Sequence, residues 1–369
     1  MAHQNREALL RSIWQPPQEW KTPGAWLWWF WLFFIHDENT RKTGKCRQLM
    51  ILWSIKKDKE IMCNSLDIRQ PHQLDSRVDG TSRLNGAAAA WYFDGEGMRE
   101  DFVLETSHMS LDPARRSLFA PGKTPSSFTQ HGEDFITKIK AGKTEFEFVA
   151  RQKDMHPAVG PTHGITRLPA GMMIEGTRIE TLQLSGTEAH NGKKRALSGT
   201  AYFQKILLAA PPPQWYWGLY HFSDGSFFTY MVPYAGRAAL ADNAWKGASL
   251  KKPALPIKQD VFLYHAPSRR VFEGSSLTVT PKRIGNTENW LHTLSGGGAD
   301  FTIKATARAY SHACWSFRKH IGSLPARSNF RYNEYPAVLE SLEVATAGGE
   351  IITLKNGWGN MENSWGFII

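Results

Sequence analysis

The sequence predicts an all-β protein built from sandwiches or barrels, and three observations carry that prediction. Apolar and polar residues alternate with period two over many short segments. Turn signals separate these segments. Long helical patterns are few, while the chain carries 20 Pro and 31 Gly. A chain of 369 residues has room for two domains of ordinary size, or one large barrel, and for a sizeable core.

Taken in order, the elements read as follows. A short helix is expected over 5–13. AWLWWFWLFFI (25–35) is the most apolar run, roughly half the length needed to span a bilayer. It ends in the polar turn His36-Asp37-Glu38-Asn39. Its first reading is a strand buried on both faces; its second is an aromatic edge dipping into a membrane. With Arg47–Ile55, across DENTRKTGK, it forms a hairpin. The turn-rich stretch 110–133, SLDPARRSLFAPGKTPSSFTQHGE, is expected to be a loop over a pocket mouth. Phe146, Phe148 and Ala150 alternate with charged or small residues, and Gly176–Ser185 places Leu182 and Leu184 on one face.

Asn191-Gly192 followed by Lys193-Lys194-Arg195 reads as a hairpin tip. The same region, 186–200, is where two β domains, 1–190 and 191–369, are expected to meet. In QWYWGLYHFSDGSFFTYMVPY (214–234), Asp224-Gly225 between aromatic runs is the strongest hairpin signal. Trp215, Trp217, Leu219 and His221 share one face there, and Tyr216, Gly218, Tyr220 and Phe222 share the other. Neither face is polar, so both must be covered. Phe301, Ile303, Ala305 and Ala307 alternate after Gly296-Gly297-Gly298. A second short helix is expected over 312–321, and a last hairpin has Leu342–Val344 and Ile351–Leu354 flanking TAGGE.

The net charge of +10 favours acidic surroundings, but Lys and Arg are spread along the chain and form no nucleic-acid module. A solvated basic surface is the plainer reading, and no nucleic-acid partner is expected. Cys46, Cys63 and Cys314 are too scattered for a disulfide framework. No Cys-x-x-Cys, His-Glu-x-x-His or Gly-x-Ser-x-Gly occurs. Gly122-Lys123-Thr124 has Ser117 where a phosphate loop needs Gly, and neither Gly95-x-Gly97 nor Gly357-x-Gly359 completes a dinucleotide fingerprint. Neither a metal nor a nucleotide cofactor is therefore expected. MAHQNREALLRS lacks an apolar signal core. The expected location is cytoplasmic, with peripheral membrane contact kept in view by the basic surface.

Four stretches then carry a resemblance. They are WLWWFWLFFIHDENTRKTGKCRQLMILWSI, GTAYFQKIL (199–207), the Trp-x-Trp and Asp-Gly hairpin, and RYNEYPAVLESLEV followed by KNGWGNMENSWG. In this order the sequence resembles the carotenoid hydratase (hydroxyneurosporene synthase) superfamily, with its AttH-like, kievitone hydratase and lipocalin-like Diels–Alderase relatives. The resemblance implies two lipocalin-like β-domains packed together, with an apolar pocket inside or between them. Departures are specific. Where the hydratases carry His-Asp-His-Asn-Trp, this chain has Gln204, Lys205 and Leu207 at the Asp, second His and Trp positions. The strand after the turn offers Thr229, Tyr230 and Met231, with no carboxylate. Carotenoid hydration itself is not expected.

Two functions fit. One is an enzyme that hydrates, isomerises or cyclises a large hydrophobic substrate, an isoprenoid or polyene. The other is a non-catalytic carrier or sensor of a hydrophobic ligand or lipid. For the enzyme, an apolar pocket can hold a carboxyl neutral so that it protonates an alkene. Glu334, first, and Glu362, among Tyr332, Tyr335, Trp358 and Trp365, are the candidates, with Tyr230 as a third catalytic residue. Trp215, Trp217, His221, Tyr202, Gln204 and Tyr332 are expected to line the substrate pocket.

Overall fold

The fold is nearly all strand, in two large antiparallel sheets laid face to face. It is seen in a computed structural model that describes residues 6–15, 25–56, 60–69, 76–152, 156, 159–167, 173–209, 214–235, 255–285, 290–320 and 327–368. The first sheet has 12 strands, and the strand Thr144–Arg151 also pairs with Met173–His190, so ten of them close into a barrel. The second sheet has 13 strands.

Trp26–Ile35 explains its own composition. It is paired on both sides, to Arg47–Lys56 and to Lys193–Ala209. Side chains alternate across a strand. Leu27, Trp29, Trp31, Phe33 and Ile35 enter the barrel core, while Phe30, Leu32 and Phe34 enter a third apolar layer between the sheets. Both faces of the strand are thus buried inside the protein. The Asp224-Gly225 hairpin solves its problem in the same way. Tyr220, Phe222 and Tyr230 pack inside the second sheet, and Trp217, Leu219 and Phe227 pack in the layer between sheets. Gly225 sits at φ +89° in the turn, a conformation glycine adopts without steric cost.

Two expectations are corrected, and a third feature bears on where the units divide. The stretch 110–133 is not a lid; it carries the strands Ser117–Ala120 and Ser126–His131 of the barrel wall. HACWSFRKHI is a strand, Ala313–His320, and not a helix, because Ala313 and Trp315 are buried at period two. The tip between His190 and Lys193 is a hairpin within the first sheet. The chain passes to the second sheet between Ala209 and Gln214, and there, rather than within 186–200, we place the division of the two units. The helix Arg6–Ser12 is where it was expected.

One seam between strands is too tight for any side chain. A Cβ on Gly199 would come 1.9 Å from the Phe34 carbonyl oxygen of the paired strand. Gly199→Ala is expected to destabilise the first sheet by about 1–3 kcal/mol, as overpacking does. A urea denaturation midpoint unchanged from wild type would contradict this.

Candidate active site between the sheets

The strand parities that fill the middle layer also build a cavity in it. Its first wall comes from the barrel's outer face: Trp26, Trp28, Leu52, Ile174, Arg178, Gln204, Ile206 and Leu208. Its second wall comes from the other sheet: Trp215, Trp217, Met231, Phe317, Tyr332 and Glu362. The cavity volume is about 100 Å³, and the cavity is partly open to solvent, so that a chain longer than it encloses can extend from its mouth. In the first wall Arg178 lies opposite Gln204, which lies opposite Phe30. In the second, Glu334, Glu362, Trp217 and Met231 form one cross-strand row.

The row brings the two predicted carboxyls directly opposite each other, both buried. Glu362 reaches the cavity. Its Oε1 accepts a 2.9 Å hydrogen bond from the Tyr332 hydroxyl, and its Oε2 accepts one from the Trp215 indole N–H. Burial pushes its pKa up to about 7, against the pull of those two donors and of Arg178. Glu334 sits behind it and does not line the cavity. Burial, then the neighbouring Glu362 charge, holds Glu334 well above the usual carboxylate range. Neither of its oxygens makes a hydrogen bond of ordinary geometry with a described residue. Like charges this close do not both ionise readily in a dry site, so the pair retains a proton near neutral pH.

Of the other expected residues, Trp215, Trp217, Gln204 and Tyr332 line the cavity. Tyr202 supports it from behind: its ring lies 5.4 Å from Trp217 and its hydroxyl donates to Gln204 Oε1 at 3.0 Å. His221 and Tyr230 do not line the cavity. His221 lies in the layer between sheets but away from the cavity, where it joins the two sheets. Its Nε2 is 2.9 Å from the Glu180 carbonyl and its Nδ1 is 2.9 Å from Thr200 Oγ1, which also accepts the Trp358 indole N–H. Burial lowers its pKa to about 4, so it is neutral. Tyr230 points the opposite way, into the second sheet's core, with its hydroxyl 3.2 Å from His292 Nδ1. Lys205, at the family's His position, turns into the first barrel, where Nζ donates to the Ser12 and Gln15 carbonyls.

Sequence reading missed Arg178 and Glu180. The signal was hidden by a bulge between Ile179 and Leu182, which reverses the parity of the strand. Counted straight through from the core residues Leu182 and Leu184, Arg178 falls inside the barrel; across the bulge it falls on the cavity. Glu180 is also pushed up to about 7 by burial, with Arg178 pulling it down. Among the described residues no cluster of His, Cys, Asp and Glu is arranged to hold a metal ion.

The two kinds of buried group oppose each other in pH. Glu362 rises from 4.5 to about 7 on folding, so its contribution to stability is full below pH 4.5 and lost as pH rises through 7. His36 and His221 fall from 6.5 to about 4, so theirs is full above pH 6.5 and lost as pH falls through 4. Glu362→Gln is expected to remove the first slope: between pH 4.5 and 7 wild type loses up to about 3 kcal/mol relative to the variant. Chemical denaturation at pH 5 and pH 8 checks this. A wild-type-to-variant difference that does not change with pH would contradict it.

No protein-family model matches the chain, and no curated protein matches it in sequence. Solved structures do match. An AttH-like protein from Nitrosomonas europaea aligns at 12% identity and TM-score 0.52, over 94% of this chain and 95% of that one. Kievitone hydratase from Nectria haematococca aligns at 11% identity and TM-score 0.46, over 95% of this chain and 93% of that one. CghA aligns at 9% identity and TM-score 0.47, over 93% and 89%. The chain shares the fold of the AttH-like protein across nearly its whole length, which is the lipocalin-like fold the sequence resemblance implies. No helix among the described residues is long and apolar enough to cross a membrane.

Proposed function

We propose that this protein is an enzyme that moves a proton to or from a hydrophobic, unsaturated substrate held between its two sheets, with Glu362 as the acid. One observation carries the reading: a buried carboxyl, poised near neutral pH and backed by a second carboxyl, opens on an aromatic cavity. Such a group donates a proton to an alkene, the step shared by hydration, isomerisation and proton-initiated cyclisation of an isoprenoid or polyene, and the proton returns from the added water in hydration or from an adjacent carbon in the other two. Trp26, Trp28, Trp215 and Trp217 present ring faces and edges that fold a flexible chain into one shape and stabilise developing positive charge. The resemblance to the carotenoid hydratase superfamily supports the same class of reaction. The catalytic role expected first of Glu334 passes to Glu362, since Glu362 is the member that reaches the cavity; Glu334 is a positioning residue that keeps the shared proton in place.

Native mass spectrometry of the protein purified from its own host tests the pocket. The expected result is a bound hydrophobic small molecule that is lost when Met231→Trp fills the cavity. A ligand retained unchanged by the filled variant would place binding elsewhere and overturn the reading.

A further inference from the structure

Arg178 is the one cation among the described residues that line the cavity. It is surrounded by protein, and the surface it keeps accessible opens on the cavity. Buried guanidinium groups are held by carboxylates or carbonyls in nearly every folded protein, because the lost hydration is otherwise uncompensated. Here none of the guanidinium N–H groups makes a hydrogen bond or ion pair with a described residue. Around it stand Tyr202, Glu180, Asp260 and Glu362, whose field favours the charged guanidinium. That field keeps Arg178 charged without filling its donors.

Gln204, directly opposite on the paired strand, adds to this. Its Oε1 is occupied by the Tyr202 hydroxyl, so its amide N–H₂ is the end left for the cavity. A planar fork and an amide donor side by side on one wall, neither filled by a described residue, form a cradle for an anionic oxygen.

We propose that Arg178, with Gln204 beside it, anchors an acidic oxygen head group, so that the substrate is an unsaturated hydrophobic molecule bearing a carboxylate or comparably acidic oxygen. This rests on the cavity being the substrate site. The anchor lies on the first wall and Glu362 on the second. A substrate held by its head is therefore laid across the tryptophans with its unsaturated body directed at the acid. Anchoring also separates charge from chemistry. The negative head meets the cation, and the carboxyl that must stay protonated meets only apolar carbon.

The test uses cis-parinaric acid and its methyl ester, which share one polyene chain and differ in the head group, anionic in the acid and neutral and one methyl larger in the ester, with energy transfer from the cavity tryptophans as the readout. Wild type is expected to bind the acid at least about tenfold tighter than the ester. Arg178→Met is expected to lose that preference, with ester affinity kept within about twofold, and Arg178→Lys to restore part of it, since a lysine keeps the charge but not the fork. Equal affinity of wild type for acid and ester would show Arg178 to be a fixed counter-charge for Glu180 and Glu362, and would overturn the proposal. So would an equal loss of both probes in Arg178→Met, which would mean that Arg178 only shapes the wall. Failure of both probes to bind wild type would instead sink the cavity as a hydrophobic ligand site, and the anchor with it. If Arg178→Met does not fold, the wild-type preference and Arg178→Lys decide between these outcomes.

Discussion

Glu362→Gln is expected to reduce turnover by about 10²–10⁴-fold, the usual worth of a positioned general acid, while ligand affinity stays within about tenfold, or roughly 1.4 kcal/mol. The amide keeps the shape of the side chain, with its oxygen accepting from Trp215 and its N–H₂ donating to the Tyr332 oxygen, but it has no acidic proton to give to the substrate. Binding is made by the tryptophan walls and by Arg178; of these the substitution meets Trp215, whose indole N–H keeps an acceptor in the amide oxygen. Glu334→Gln removes the second titratable carboxyl of the pair without entering the cavity. It is expected to leave turnover measurable and to move its pH dependence, because the proton is then no longer shared. A single-turnover assay across pH separates the two variants. Turnover by Glu362→Gln at the wild-type rate would remove Glu362 from the chemistry.

Trp31→Ala carries the largest expected cost to stability, about 3–5 kcal/mol for deletion of a buried aromatic. Trp31 is fully buried at the middle of the barrel, with its ring 5.4 Å from Phe33, 5.2 Å from Phe128, 5.8 Å from Phe135 and 4.8 Å from Phe203. These partners come from the same strand, from the paired strand, where Phe203 lies directly opposite, and from two strands across the barrel, so a void there cannot be closed by shifting one of them. Trp31→Phe is expected to cost less, since it keeps much of the volume and removes an indole N–H that has no described acceptor. Urea denaturation followed on the first sheet is the measurement. A loss below about 1 kcal/mol for Trp31→Ala would contradict a barrel packed around this residue.

Much of this architecture was legible in the chain because strands announce themselves by period and turns by chemistry. The run Trp26–Ile35 is apolar at every position, which only a strand buried on both faces needs, and the structure gives each face its own core. Asp224-Gly225 marks its hairpin by the positive φ that Gly225 supplies. The carboxyl pair was visible as two Glu residues in aromatic stretches, but their pairing was not. Glu334 and Glu362 meet through a register that is set along the whole Arg327–Thr346 and Ile351–Ile368 hairpin, beginning at its Gly349 turn. Which of the two faces the substrate depends on the packing of the other sheet. Arg178 was hidden by a bulge, and Tyr230 was misplaced because its strand is apolar on both faces, which leaves sequence no cue to which side is the cavity. HACWSFRKHI showed the same alternation as any other strand, Ala313, Trp315 and Phe317 against Cys314, Ser316 and Arg318. Its apolar content drew a helix reading that the period did not support.

The central claim, that the cavity is a place of reaction and not of storage, is tested most directly by comparing what wild type and Glu362→Gln carry when each is purified from the native host. Ligands released from both would be analysed together by mass and by chromatographic retention. The account predicts that the variant holds an unsaturated precursor that wild type converts. The wild-type product would be heavier by one water if the reaction is hydration, or equal in mass but different in retention if it is isomerisation or cyclisation. The same unaltered molecule in both proteins would contradict it, and would make this chain a carrier of a hydrophobic ligand.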